Sequence, residues 1–127
     1  MMGSKQSLLV ESAQRLLRRG AYARVRHLLD KTRPEDIAAV FPSCLPRERR
    51  QMFELLGESD QQAEVLSEVD IGLIPDLLDP LPVEKIVEIL HEVPADDVAD
   101  ILAALSEERA SAILERMQEA ESIEVEE

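Results

Sequence analysis

The chain has 127 residues, 45% of them hydrophobic, which suffices for one domain with its own core. Leu, Ile, Val and Ala dominate that fraction, while two Phe, one Tyr, no Trp and only four Gly disfavour a β-sandwich and suit packed short helices. The net charge of −13 is split: residues 1–50 hold 11 basic and 5 acidic residues, a net +6, and residues 51–127 hold 3 and 22, a net −19. An acidic half of this strength repels nucleic acid and favours cations or basic partners, although most of these carboxylates are expected simply to be solvated.

At the start of the chain, residues 1–7 lead into only three consecutive apolar residues, Leu8, Leu9 and Val10, too few for a signal peptide's apolar region. No later stretch approaches the ~20 apolar residues of a membrane span. Cys44 stands alone, so neither an internal disulfide nor a Cys-based zinc site can form, and a reducing compartment is expected. These observations predict a cytoplasmic chain without direct membrane insertion. Residues 6–19 read as an amphipathic helix carrying Leu8, Leu9, Ala13, Leu16 and Leu17 and closed by Gly20. Residues 1–20 thus form a first segment, one helix packed on the remainder of the chain.

From residue 21 a twelve-residue unit recurs, with its apolar positions fifth, eighth, ninth and twelfth. The unit 82–93 supplies Ile86, Ile89, Leu90 and Val93; the unit 94–105 supplies Val98, Ile101, Leu102 and Leu105. In 106–117 the same positions hold Ala110, Ile113, Leu114 and Met117, and in 70–81 they hold Ile74, Leu77, Leu78 and Leu81. The unit 58–69 has Gln62 as a polar exception beside Val65, Leu66 and Val69. Gly57 is a one-residue insertion, upstream of which the register resumes in 45–56 (Arg49, Met52, Phe53, Leu56), 33–44 (Ile37, Val40, Phe41, Cys44) and 21–32 (Val25, Leu28, Leu29, Thr32).

Steps of three, one and three put these residues on one face of a helix of two to three turns. Pro34, Pro46, Pro82 and Pro94 suit a first helical turn, and the acidic residues behind them complement the positive end of the helix dipole. Pro75 and Pro80 make 70–81 the least regular unit. Helices this short are marginal alone, so each must bury its stripe on its neighbours, which predicts an all-α solenoid over residues 21–117. Residues 118–127 form an acidic tail that continues a helix or begins a linker.

No glycine-rich phosphate loop, nucleophile elbow or paired Cys and His is present, so an enzyme is not expected. His27 and His91 lie 64 residues apart and read as surface histidines, with a minor cation role for His91 beside Glu92, Asp96 and Asp97 as the alternative. Cys44 occupies a core position and reads as a small hydrophobe. The carboxylates are the chemistry that remains. Asp96, Asp97 and Asp100 form a D-D-x-x-D cluster at a helix start, with Asp96 and Asp100 on one face. By composition alone they complement a helix dipole; as hard oxygen ligands they also suit magnesium, which prefers one or two carboxylates plus retained water.

The A-E-V-L-S segment at 63–67, with P-V-E-K-I-V-E-I-L at 82–90 and D-D-V-A-D at 96–100, resembles the N-terminal cytosolic domain of MgtE-type magnesium transporters, over roughly residues 8–127. The resemblance implies a right-handed α-superhelix, followed in that family by CBS (cystathionine-β-synthase) modules and a transmembrane pore. It implies a regulatory role: magnesium held between acidic faces of the N domain and the CBS modules keeps the pore closed, and its loss lets the N domain swing away. The family's ligand positions fall on Glu64, Asp96 and Asp100, with Asp97 as a neighbour. The ion would be bound weakly here, because the CBS half of each site is absent from this chain. The full-length protein would sit at the cytosolic face of the inner membrane and leaves room for a homodimer. The alternative is a metal-independent interaction scaffold like the middle domain of the flagellar motor-switch protein FliG, which residues 99–117 resemble loosely although its H-P-Q sequence is replaced here by Leu81-Pro82-Val83.

Overall fold

In the computed structural model, which describes the backbone of residues 3–126 and the side chains of residue 3 and residues 5–121, almost every twelve-residue unit is one helix. After α1 (Ser4–Arg18) come α2 (Tyr22–Asp30), α3 (Pro34–Val40), α4 (Pro46–Leu56), α5 (Ser59–Glu68), α6 (Ile74–Leu78), α7 (Val83–His91), α8 (Ala95–Ala103) and α9 (Glu107–Glu126). The fold is all-α, with no strand among the described residues. Residues 118–126 continue α9; residue 127 lies outside the described residues, as do Met1 and Met2 of the first segment.

Proline decides where the units depart from a plain helix. Pro34 and Pro46 open α3 and α4 at the first helical position, where a missing N–H costs nothing. Pro82 and Pro94 stand one residue earlier, as extended N-caps of α7 and α8. Within unit 70–81, Pro75 cannot donate to the carbonyl four residues back and its ring crowds that carbonyl, so the unit splits into a 3-10 turn, Ile71–Leu73, and the five-residue α6. Pro42 acts alike in unit 33–44, ending α3 at Val40 and leaving a second 3-10 turn, Phe41–Ser43. The insertion at Gly57 has its own reason. Its φ of +77° is accessible to glycine and strained for other residues, and a Cβ there would run into the Arg26 guanidinium.

The repeat positions form the core. Val25, Ile37, Phe41, Met52, Phe53, Leu66, Leu78, Ile86, Ile89 and Ile113 are each at most 3% exposed. The helices stack in two rows, because all from α1 to α7 except α6 pack on the helix two further along: α1, α3, α5, α7 and α9 in one row, α2, α4 and α6 in the other. α8 leans on α9. Two expected core residues are exposed, Leu8 of α1 at 64% and Leu114 of α9 at 46%, and Val98 and Leu102 of α8 are only half-buried.

Three repeat positions hold polar residues, and each is anchored to backbone. Thr32 Oγ1 donates to Leu28 O at 2.7 Å. Gln62, 2% exposed, donates from Nε2 to Phe53 O at 3.0 Å. Arg49 donates from Nε to Asp76 Oδ2 at 2.9 Å and from Nη1 to Cys44 O at 2.9 Å and Phe41 O at 3.2 Å. Arg49 thereby ties the end of the α3 unit to α6 while satisfying carbonyls that a terminating helix leaves without partners.

The same device recurs along the stack. Arg26 Nη1 donates to Leu55 O at the end of α4 (3.0 Å), and Arg109 Nη2 donates to Asp79 O (3.2 Å) and Leu81 O after α6. Lys85 Nζ lies 3.5 Å from Gly57 O and 3.4 Å from Ser59 Oγ. Cations placed against helix C-termini interact favourably with the negative dipole end as well as with the orphan carbonyls. Glu48 does the converse at the start of α4: buried at 7% exposure, it accepts from Leu45 N at 2.8 Å and from Gln14 Nε2 at 3.1 Å, fastening α1 to α4.

Arg49→Ala should therefore lower unfolding stability by about 2–4 kcal/mol, because it strands the Cys44 carbonyl and the partly buried Asp76 carboxylate, while Phe41 O keeps the Cys44 N–H; urea denaturation checks this. Burial, with the Glu48 carboxylate nearby, pushes the Cys44 thiol up from its ordinary 9.0 to about 11, partly offset by Arg49. Since the folded value lies above the unfolded one, the neutral thiol's contribution is intact below pH 9 and is lost as pH rises toward about 11. Cys44→Ala should remove that alkaline loss, measured by denaturation at pH values on either side of the window.

Candidate functional site

One outer side of the stack gathers acidic side chains rather than cations. α3 contributes Glu35 at its second residue, and α5 contributes Glu64 and Glu68, four apart and so on one face. Glu92 is the C-cap of α7, and Asp97 is the third residue of α8. These five carboxylates line one open groove of about 540 Å³, with Pro34, Ala63, Ser67 and Pro94 between them. Four are exposed and Asp97 is half-buried.

None of the five has a cationic partner within 4.0 Å among the described residues; the ion pairs present engage Asp30, Asp76, Glu84, Glu88 and Glu119. The N-termini of α3 and α8 both open on the groove, so their dipoles offset part of the like-charge repulsion. What remains is a solvated, uncompensated anionic surface. It can attract a hard cation and repel another acidic surface.

The four residues singled out in the sequence are not all brought together. Glu64 and Asp97 share the groove. Asp100 lines a separate concavity beside Ile71, Gly72 and Pro75, and Asp96, also exposed on α8, lines neither. The geometry thus gives Asp97, which stood behind its neighbours in the sequence argument, a direct place beside Glu64. Among the described residues no three His, Cys, Asp or Glu side chains converge closely enough to hold a metal ion by themselves. His27 and His91 are exposed.

Glu35, Glu68 and Glu92 were missed. Glu35 reads in sequence only as a dipole partner at a helix start. Glu68 and Glu92 had a usable signal: each is the eleventh residue of its unit and the units are two apart, so stacking α5 on α7 sets them on one side.

A family model for the MgtE intracellular N domain matches residues 32–127, well over half the chain. The chain belongs to that family. The match takes in α3 to α9 and with them the whole groove, whereas α1 and α2 lie outside it. No curated protein and no solved structure matches the chain at significance. MgtE N-domain membership gives the chain a place in the intracellular region of a magnesium transporter. No helix among the described residues is long and apolar enough to cross a membrane.

Because like charges crowd this MgtE N-domain groove, neutralising one should relieve repulsion. Glu64→Gln and Glu92→Gln should each leave stability unchanged or raise it by a few tenths of a kcal/mol at low ionic strength. The gain should vanish near 0.5 M salt, where the screening length falls to about 4 Å. Paired urea titrations at the two salt concentrations read this out.

Proposed function

We propose that this chain is the magnesium-sensing regulatory domain of an MgtE-type transporter, docking on CBS modules of the same protein when cytosolic magnesium is high. The observation that carries the reading is the groove of five carboxylates without cationic partners among the described residues, lying wholly within the segment that the family model matches. Its donor set is hard oxygen throughout, which fits Mg²⁺ rather than a thiophilic metal. The groove is open to water, which suits an ion that sheds its hydration shell reluctantly.

The domain supplies part of a coordination shell. Among the described residues no three acidic side chains converge, so the remaining ligands come from retained water and from the docking partner. The isolated domain accordingly binds the ion weakly, and affinity rises when two acidic faces meet across it. Without the ion, those faces repel and the domain separates, which is the structural change that would open a pore. A ligand shifts such an equilibrium only by its differential affinity for the two states, and shared coordination provides that difference. Glu64 and Asp97 act within the groove; Asp96 and Asp100, on the exposed side of α8, extend the anionic face toward a partner. In this reading the domain works at the cytosolic face of the membrane, as one arm of a homodimeric transporter.

The test measures association of this chain with an MgtE-type CBS-module pair as magnesium is raised into the millimolar range. Association should strengthen at least tenfold, corresponding to about 1.4 kcal/mol of coupling. Glu64→Gln combined with Asp97→Asn should remove most of that dependence, and adding Asp96→Asn and Asp100→Asn should remove the rest. Binding that ignores magnesium, or keeps its magnesium dependence in the fourfold variant, would support a metal-independent scaffold instead.

A further inference from the structure

Arginines without a carboxylate partner gather where α1 ends and where α2 and α4 begin. Residues 12–29 hold five arginines and no acidic residue, and residues 37–53 hold three arginines with Glu48 as their one acid. Two of the eight, Arg26 and Arg49, are used inside the stack. Gln14 of α1 donates to Glu48 of α4, which brings the two helix ends together, and Arg18 and Arg47 line one open cavity of about 280 Å³ there. Arg15 lies one turn before Arg18, and Arg50 one turn after Arg47. Neither these four nor Arg19, the C-cap of α1, takes part in an ion pair among the described residues. Two acids lie close by, Glu11, exposed one turn before Arg15, and the buried Glu48, so the five arginines leave 5 − 2 = +3.

Local stability accounts for only part of this patch. Arg15 and Arg18 stand in the last turn of α1, where the helix dipole favours cations. Arg47 is the second residue of α4 and Arg24 the third of α2, at the positive ends of their helices, where the dipole favours acids instead. Large side chains also stand open beside the arginines. Leu45, the N-cap of α4, is 54% exposed, and Tyr22, the first residue of α2, is 46% exposed. The acidic groove is elsewhere: α3 opens on it at Pro34 and leads away, through the Phe41–Ser43 turn, to Leu45. Patch and groove therefore lie beyond opposite ends of α3.

We propose that this patch docks the domain on an anionic phospholipid surface. The guanidinium groups meet headgroup phosphates, which their planar fork of N–H donors fits, while Tyr22 and Leu45 enter the boundary between headgroups and acyl chains. The two signals act together, since a few charges or two apolar side chains alone hold a domain only weakly. Membership of the MgtE intracellular N domain family sets the chain in the intracellular region of a magnesium transporter, so a membrane is within reach, and cytoplasmic leaflets carry anionic lipids. The net charge of −13 does not forbid the contact. At physiological salt, charges beyond about 8 Å are largely screened, so the lipid surface meets the patch rather than the whole chain. The inference goes beyond the magnesium reading and needs no ion: α1 and α2 lie outside the family match, and docking leaves the groove open.

The test is co-sedimentation of the full chain, in EDTA, with vesicles of phosphatidylglycerol mixed into phosphatidylcholine. Binding should rise with the phosphatidylglycerol fraction, be absent on pure phosphatidylcholine, and fall steeply near 0.5 M salt, where the screening length is about 4 Å. Arg18→Glu with Arg47→Glu should weaken it by more than about tenfold, at roughly fivefold per charge, with circular dichroism unchanged because both side chains are exposed. Leu45→Ser, which also suits an N-cap, should weaken binding a few-fold without loss of stability. Tyr22 is the one tyrosine and there is no tryptophan, so intrinsic fluorescence reports the patch itself, and vesicles should shield it from acrylamide. Should the double reversal disturb the fold, that shielding in the wild-type chain still decides the matter. No binding, equal binding to phosphatidylcholine, or a bound chain whose Tyr22 stays open to acrylamide overturns the inference. So does a folded double variant that binds like wild type. Displacement by inorganic phosphate beyond that by chloride at matched ionic strength, or tighter binding to DNA than to vesicles, overturns it too, in favour of a soluble anion or a nucleic acid.

Discussion

Helices of five to eleven residues are too short to be stable alone in water, and from α2 to α8 this chain is built of little else. Each therefore depends on burying its stripe against its neighbours, for most of them the helix two further along. That constraint accounts for the two rows, for a core that is continuous from α1 to α9, and for the tolerance of prolines at the start of four of the eight units. It also has a cost. A helix of three turns leaves a large share of its carbonyls beyond its last hydrogen bond, and closely stacked helices exclude the water that would satisfy them. Arg26, Arg49, Lys85 and Arg109 meet that need from neighbouring units, so part of the basic charge of both halves serves the fold rather than a ligand.

The division of labour between charges has the same origin. Cations are drawn to helix C-termini inside the stack, while carboxylates collect around the N-termini of α3 and α8 and along α5 on one outer side. With few cations left near that side, the groove holding Glu64 and Asp97 stays uncompensated. A surface of this kind contributes little to stability and imposes some repulsion. Under the proposed function a cation held at the docking interface completes it.

Much of this was legible in the residues. The twelve-residue period located the units, their boundaries and nearly all core positions, because a helix of three turns must repeat its apolar residues at three, one and three whatever it packs against. Gly57 stood out as a slip in that register, and its positive φ with the Arg26 side chain beside it gives the slip a physical cause. Local grammar also foresaw that unit 70–81 would be irregular, since a proline disrupts the helix ladder in any setting. Where the reading failed, the missing information was which units touch. Leu114 carries the same signal as Leu66 or Leu90, yet burial depends on a neighbour that the period cannot supply.

The sequence by itself thus determined the helix class, the unit length, the core stripe and the acidic bias of the second half, all of which arise from local spacing and composition. Only the tertiary structure decided which carboxylates share a surface. Asp96, Asp97 and Asp100 are near neighbours along one helix, but a turn of about 100° per residue sends Asp97 to the groove with Glu64 and Asp100 to another concavity. Glu35 and Glu92 join that groove across 57 residues because α3, α5 and α7 lie in one row. Helical periodicity orients each side chain about its own axis; where that axis lies relative to the others is set by packing.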